Sequence, residues 1–167
     1  MSWNAVNGAT GYQVWRGTSA TGSFTALGSV TTTSRVSTGL SAGTTYYYKV
    51  RAYKEVDGAR QYGNFSTVIS GVTKPSAPGG VKAAVASATK VNVSWNAVTG
   101  ATGYEVWRSE SSGGSYVKLG AVTTTNRACP GLTTGKTYYF KVRAYIEVNG
   151  TKIYGAYSTA VSATPKK

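Results

Sequence analysis

The chain has 167 residues, 41% of them hydrophobic, which is enough for one large domain or two small ones. It has no histidine, one cysteine and five acidic residues, which excludes imidazole chemistry, an internal disulfide and a cysteine-rich metal cage. Lysine and arginine total 18, the net charge is +13, and no apolar run approaches the ~20 residues of a membrane-spanning helix.

A tandem repeat organises the chain. A shift of 92 positions aligns residues 3–71 with residues 95–163 without a gap, and 41 of these 69 positions are identical. A period of this length fits a small independent domain. We therefore predict a first domain over residues 1–73, a linker with Pro and Gly over 74–79 and a second domain over 80–165. Residues 81–94 of the second repeat have almost no counterpart in the first, so we expect the first domain to lack its N-terminal strand.

Within each repeat the apolar residues recur with the period of two that is typical of half-buried strands. The first repeat has a predicted hairpin turn at Asp57-Gly58. The second repeat has alternating runs over 91–95, 104–107 and 138–145, followed by the matching turn at Asn149-Gly150. Both pairs tolerate the positive φ angles of a type I′ turn. Turn signals roughly every 8–12 residues predict an antiparallel sandwich of seven strands per complete repeat.

Several motifs of the second repeat follow one another in a recognisable order. Val93-Ser94-Trp95 precedes Gly103-Tyr104-Glu105-Val106-Trp107-Arg108, and a Leu-x-x-Gly-x-x-Tyr run extends from Leu132 to Tyr138 and recurs from Leu40 to Tyr46. The segment Gly155-Ala156-Tyr157-Ser158 completes the set. As a set, these motifs resemble the fibronectin type III family, particularly its versions in bacterial surface and secreted proteins.

The resemblance implies an all-β fold of two tandem, seven-stranded, immunoglobulin-like antiparallel sandwiches. It implies that the hydroxyls of Tyr46 and Tyr138 bond to nearby backbone as corner tyrosines. It also implies a core of aromatic and aliphatic side chains in each repeat. In the second repeat these are Trp95, Tyr104, Val106, Leu132, Tyr138, Phe140 and Val142, and in the first they are Trp3, Tyr12, Val14, Leu40, Tyr46, Tyr48 and Val50.

The side chains that alternate with this core form the first candidate ligand site. They are expected on the outer sheet face and comprise Trp15, Tyr47, Lys49, Arg51 and Tyr53 in the first repeat, and Trp107, Tyr139, Lys141, Arg143 and Tyr145 in the second. Aromatic rings beside cations are suited to gripping sugars or an anionic polymer. The alternative, which we favour, is that they stack on one another and cover the sheet as a cation–π ladder.

Other candidate sites are weaker. Positive charge is spread over both halves, +5 through Lys74 and +8 beyond it, which suits nonspecific attraction to acidic polymers or simple solubility better than a dedicated nucleic-acid groove. We expect Glu55 and Glu147 to pair with cations near the hairpins, such as Lys54, Arg60 or Lys152, rather than to act as paired catalytic acids. Cys129, which replaces a serine of the first repeat, is expected to be a half-buried small residue.

These observations favour a non-enzymatic protein with no cofactor and no metal. The leading hypothesis is an extracellular spacer or adhesion module of a larger secreted or surface protein, whose partners are its neighbouring domains. One alternative is binding of carbohydrate or an anionic cell-wall polymer through the outer face. Another is self-assembly, with a strand from another chain docking on the open edge of the first domain.

Overall fold

The computed structural model describes every residue from Met1 to Lys167 and contains only strands, turns and loops. It divides into two compact units, Met1–Thr73 and Lys74–Lys167. All strand pairs are antiparallel, so the predicted all-β antiparallel class is confirmed. No helix of a length and apolarity that could cross a lipid bilayer is present.

The first unit is a single five-stranded sheet. Its strands are β1 (Gly11–Gly17), β2 (Thr25–Val30), β3 (Thr45–Val56), β4 (Ala59–Tyr62) and β5 (Ile69–Val72). They are ordered β2-β1-β3-β4, and β5 pairs with the first half of β3. A second layer is represented only by an isolated bridge between Ser2 and Ser34.

The second unit has two sheets. Its strands are β6 (Lys82–Ser87), β7 (Lys90–Ser94), β8 (Gly103–Ser109), β9 (Val117–Val122), β10 (Asn126–Cys129), β11 (Tyr138–Val148), β12 (Thr151–Tyr157) and β13 (Val161–Ala163). The sheet β10-β7-β6 lies opposite β12-β11-β8-β9, in which β13 also pairs with β11. The units therefore have five and eight strands rather than seven each. The excess in the second unit arises because the last strand is interrupted after Tyr157, where the backbone N–H of Ser158 donates to the carbonyl oxygen of Val142 at 2.8 Å.

The predicted local motifs form in both units. Asp57 and Gly58 have φ angles of 52° and 76°, and Asn149 and Gly150 have 49° and 76°, as a type I′ hairpin requires. The hydroxyl of Tyr46 accepts a hydrogen bond from the backbone N–H of Ser41 at 2.9 Å. The hydroxyl of Tyr138 accepts one from that of Thr133 at 3.1 Å, so both corner tyrosines are confirmed.

The core of the second unit lies between its two sheets. All seven expected core residues are buried and belong to one cluster, together with Val91 and Val93 of β7. Trp95 packs against Tyr104 with ring centroids 5.3 Å apart and the ring planes tilted by 60°. Such contacts add to the free energy that burying the rings provides.

The core of the first unit is less covered. Tyr12, Val14, Tyr46 and Tyr48 are buried, whereas Trp3, Leu40 and Val50, which we expected in the core, are only half-buried. The physical reason is that fewer side chains cover this inner face: Met1, which aligns with Val93, is itself only half-buried, and no side chain takes the place of Val91, so part of the inner face reaches solvent.

The segment that we expected to be a linker packs against the second unit. Residues 74–79 are grouped with the second unit, and the rings of Pro75 and Pro78 are buried. The carbonyl of Pro75 lies against Gly155 of β12, where a side chain would collide with it. The backbone N–H of Asn96 donates to the carbonyl oxygen of Gly79 at 2.9 Å. The backbone at Pro75 therefore packs where Gly155 leaves room.

Candidate functional site

The candidate site is the outer face of the main sheet in each unit, defined by the two residue sets given above. Neighbouring strands hold its members in register, with Trp15 opposite Lys49 and Gln13 opposite Arg51 in the first unit. In the second unit Trp107 lies opposite Lys141, and Glu105 lies opposite Arg143. Because side chains alternate between the two sides of a strand, these residues share one face.

In the first unit the two β3 cations are enclosed by aromatic rings. The Nζ atom of Lys49 lies 4.4 Å from the ring centroids of both Phe24 and Phe65. The guanidinium carbon of Arg51 lies 3.9 Å from the ring of Tyr62, 4.8 Å from that of Phe65 and 5.9 Å from that of Trp15. Each contact of this type is worth about 0.5–2 kcal/mol, according to how far the cation is removed from water.

The second unit repeats the arrangement with tyrosines. The Nζ atom of Lys141 lies 4.4 Å from the ring of Tyr116. The guanidinium carbon of Arg143 lies 3.8 Å from the ring of Tyr154, 5.0 Å from that of Tyr157 and 5.3 Å from that of Trp107. The aromatic and cationic side chains of this face therefore contact one another, as the ladder interpretation expects.

Tyr53 and Tyr145 differ from the expectation that the whole set is exposed. Only 5% of Tyr53 and 6% of Tyr145 reach solvent. Each ring lies over a glycine of the neighbouring strand, Gly11 or Gly103, where any side chain would collide with it. Arg60 and Lys152 then cover the two rings from above, at 4.4 Å and 4.3 Å. Neither tyrosine offers a free ring to a ligand.

Tyr47 and Tyr139 are half-buried and take part in no ring–ring or cation–π pair. Tyr116 lies near Tyr139, and burial, followed by the proximity of Tyr139, raises the pKa of the Tyr116 hydroxyl. That hydroxyl is buried without a hydrogen-bond partner.

Sequence reasoning missed the rings that enclose the cations. They come from β4, from β12 and from irregular segments, none of which the alternating runs of the sequence had identified. A usable signal was nevertheless present, since the 92-residue shift pairs an aromatic residue with an aromatic residue at each of these positions: Phe24 with Tyr116, Tyr62 with Tyr154 and Phe65 with Tyr157.

A buried carboxylate in the second unit was also missed. The side chain of Glu105 is wholly buried, with Lys118 bonded to Oε1 and the Nη2 atom of Arg143 2.7 Å from Oε2. The Tyr154 hydroxyl donates to Oε1 at 3.1 Å. Burial acts to raise the pKa of Glu105, but hydrogen bonds from these three side chains outweigh it and hold the pKa below its ordinary value.

The remaining candidates do not form sites. Glu55 and Glu147 lie opposite Arg60 and Lys152 in the hairpin registers but form no ion pair, so the expected pairing is wrong. The two cations instead stack on Tyr53 and Tyr145.

Cys129 is free and buried, 3% exposed rather than half-buried. Burial raises the pKa of its thiol, which keeps it in the protonated, unreactive form. No three Asp, Glu, Cys or His side chains come close enough to hold a metal ion.

Comparison with known proteins matches residues 76–161 to the description "Fibronectin type III domain". Exoglucanase B of Cellulomonas fimi is 32% identical over 174 residues, covering 96% of this chain and 15% of that protein. Poly(3-hydroxybutyrate) depolymerase of Ralstonia pickettii is 40% identical over 91 residues, covering 54% and 17%. Chitinase A1 of Niallia circulans is 30% identical over 156 residues, covering 86% and 21%.

The chain thus spans less than a quarter of the length of each of these relatives. Among solved structures, the crystal structure of the chicken CNTN1 FN1–FN3 domains matches with a TM-score of 0.51 and 19% identity, covering 94% of this chain and 56% of that one. At this identity the match concerns the fold alone. The family match extends over just over half of the chain, and the protein therefore belongs to the fibronectin type III family.

Proposed function

We propose that the chain is a non-catalytic spacer and adhesion module of a larger secreted or surface protein. In this proposal residues 1–73 and 80–165 each form a fibronectin type III domain, and residues 74–79 connect them. The observation that carries the proposal is that side chains of the outer face make contacts within the protein. The aromatic and cationic side chains there contact one another and stiffen each unit.

The relatives support this function and an extracellular location. The matched segment is a small part of proteins named for different reactions, a glucanase, a polyester depolymerase and a chitinase. A module that recurs beside unlike activities is suited to a task that is independent of the reaction, such as holding neighbouring domains at a distance. Those neighbouring domains are the proposed partners.

A spacer must be stiff, and this is measurable. In a Cys129→Ser background, spin labels at two exposed positions, V36C in the first unit and V117C in the second, should give a narrow distribution of distances. The matched control inserts a Gly-Ser segment after Thr73, which should broaden the distribution. A distribution as broad without the insertion as with it contradicts the spacer function.

Binding of carbohydrate or an anionic cell-wall polymer is the second candidate. The observation in its favour is that the outer face carries Lys and Arg side chains beside partly exposed rings, with Tyr62, Phe65 and Tyr157 about 40% exposed. A glycan array and a pull-down with insoluble cell wall test it. Retention that is unchanged in Trp107→Ala and Lys141→Ala would remove the face of the second unit from consideration.

Strand addition is the third candidate, and a cavity in the first unit favours it. The cavity has a volume of about 130 Å³ and is lined mainly by apolar side chains, including Trp3, Val14, Tyr48 and Val50. An extended segment with alternating valines, like β7, would cover these side chains. Light scattering that finds only monomers at all concentrations argues against self-assembly by this route.

A further inference from the structure

The outer faces of the two units carry different side chains opposite an equivalent arginine, and this difference changes the hydrogen bonds that the arginine makes. In the second unit the Nε and Nη2 atoms of Arg143 both donate to Oε2 of Glu105, at 2.9 Å and 2.7 Å. In the first unit Gln13 stands in place of Glu105, and Arg51 donates to its Oε1 atom only from Nε, at 2.8 Å. The same oxygen also accepts a hydrogen bond from Nε1 of Trp15 at 3.0 Å.

Arg51 therefore keeps free its Nη2 atom, which Arg143 uses to bind Glu105. Its Nη1 and Nη2 atoms have no protein acceptor and are not among the buried unpaired atoms, so they reach solvent. All three ion pairs of the protein lie in the second unit. Lys49, Arg51 and Arg60 of the first unit are thus cations on one sheet without a carboxylate partner.

The Arg143–Glu105 pair shows that an arginine at this position of the sheet can bind a carboxylate. A carboxylate fits a guanidinium fork through two charge-assisted hydrogen bonds, and here it does so beneath the ring of Tyr154. Lys49 and Arg51 are two residues apart on β3, which spaces them by about 7 Å along the strand. This separation suits a polymer with repeated acidic groups better than one small anion.

We propose that the outer face of the first unit binds a carboxylated polysaccharide, with Arg51 holding a carboxylate and Lys49 and Arg60 flanking it. This inference rests on the second candidate function above and assigns to it a unit and a ligand class. Cations already cover the rings of this face, which disfavours the base stacking that single-stranded nucleic acid uses. In the second unit Glu105 already occupies the Nε and Nη2 donors of Arg143, which are then not free for a ligand.

Substitution of one residue tests the inference in the full chain, with polygalacturonate as the probe at low ionic strength. Gln13→Glu introduces the carboxylate of the second unit and should weaken binding by about tenfold, because the ligand then competes with an internal anion. Lys54→Gln is the matched control, since it changes the net charge by the same amount at an exposed position that alternates with the outer-face residues. It should change binding by less than about twofold.

Two further variants keep the test decisive if Gln13→Glu fails to fold in thermal unfolding. Arg51→Lys keeps the charge but loses the fork and should also weaken binding, whereas Glu105→Gln frees Arg143 and should strengthen it. Equal losses in Gln13→Glu and Lys54→Gln mean diffuse charge attraction and overturn the proposal. An equal effect of Gln13→Glu on binding of oligothymidylate overturns the assignment to carboxylates.

The failure of this inference is distinguishable from that of the underlying candidate function. Wild-type binding that survives in Gln13→Glu and Arg51→Lys but is lost in Trp107→Ala moves the site to the second unit and overturns only the present inference. If the wild-type chain binds neither polygalacturonate nor any glycan of the array, both proposals are overturned.

Discussion

Glu105 is the acidic side chain of the second unit that is fully removed from water. Lys118 and Arg143, which contact it, remain 42% and 21% exposed. A buried carboxylate with this set of donors stabilises the fold only while it is ionised, since protonation removes both charge-assisted contacts. The equivalent Gln13 of the first unit has no charge to lose.

This difference predicts that acid destabilises the second unit. Because the folded-state pKa of Glu105 is lowered, its contribution is complete above the unfolded pKa of about 4.3 and is lost as the pH falls through the folded pKa. We expect the urea midpoint of the second unit to decrease as the pH falls below about 5, and Glu105→Gln to remove most of that slope. Glu110→Gln is the control, because the Glu110–Lys136 pair is exposed. A slope that Glu105→Gln leaves unchanged contradicts this role.

The two tryptophans that begin the repeats should differ in their importance for stability. Trp95 is 5% exposed, whereas Trp3 is only half-buried, although each packs against its tyrosine at a similar distance. Trp95→Ala should cost about 3–5 kcal/mol and unfold the second unit, and Trp3→Ala should cost the first unit clearly less. Thermal unfolding of the full chain measures both, and a Trp95→Ala protein with an unchanged Tm would refute the core assignment.

At the scale of elements, the turns of the two long hairpins are positions where backbone conformation alone determines which residue is tolerated. Gly58 and Gly150 have φ near 76°, and a Cβ atom added at either would meet no other atom within 4 Å. Any cost of a side chain there comes from the left-handed backbone rather than from a collision.

Gly150→Ala should therefore destabilise the second unit by about 1 kcal/mol. Gly113→Ala is the matched control, because Gly113 is equally open but has no positive φ, and it should be neutral or slightly stabilising. The measurement is the urea midpoint of the second unit. Equal effects of the two substitutions would contradict the backbone explanation.

At the scale of the whole molecule, the two units differ in how completely their inner faces are covered. Val142 is wholly buried beneath the second sheet of its unit, and the equivalent Val50 is only half-buried beside an open cavity. A backbone amide exchanges its hydrogen when the structure around it opens locally. The free energy of opening is lower where little buried apolar surface becomes exposed.

We therefore expect the amides of residues 46–50 in β3 to exchange with solvent deuterium faster than those of residues 138–142 in β11. The two segments have equivalent neighbouring strands, so the comparison isolates the covering layer. Hydrogen exchange followed by mass spectrometry measures it in the intact chain. Equal protection in the two segments would mean that the covering layer contributes little.

Much of the fold was predictable because its signals are local. The period of two, the Asp57-Gly58 and Asn149-Gly150 pairs and the spacing from Leu132 to Tyr138 each constrain a few consecutive residues. The structure agrees with them in strand type, turn conformation and hydrogen bonding. Alternation along β3 and β11 also identified the side chains that share the outer face.

The contacts of that face were not predictable in the same way. The burial of Tyr145 depends on Gly103, 42 positions earlier in the chain, and the anionic partner of Arg143 is Glu105, 38 positions earlier. The sequence by itself determined the all-β class, the turns and the identity of the residues on each face, since these follow from the geometry of one strand. Only the tertiary structure decided which ring covers which cation and which arginine keeps free donors, because cross-strand register brings together residues that no local pattern connects.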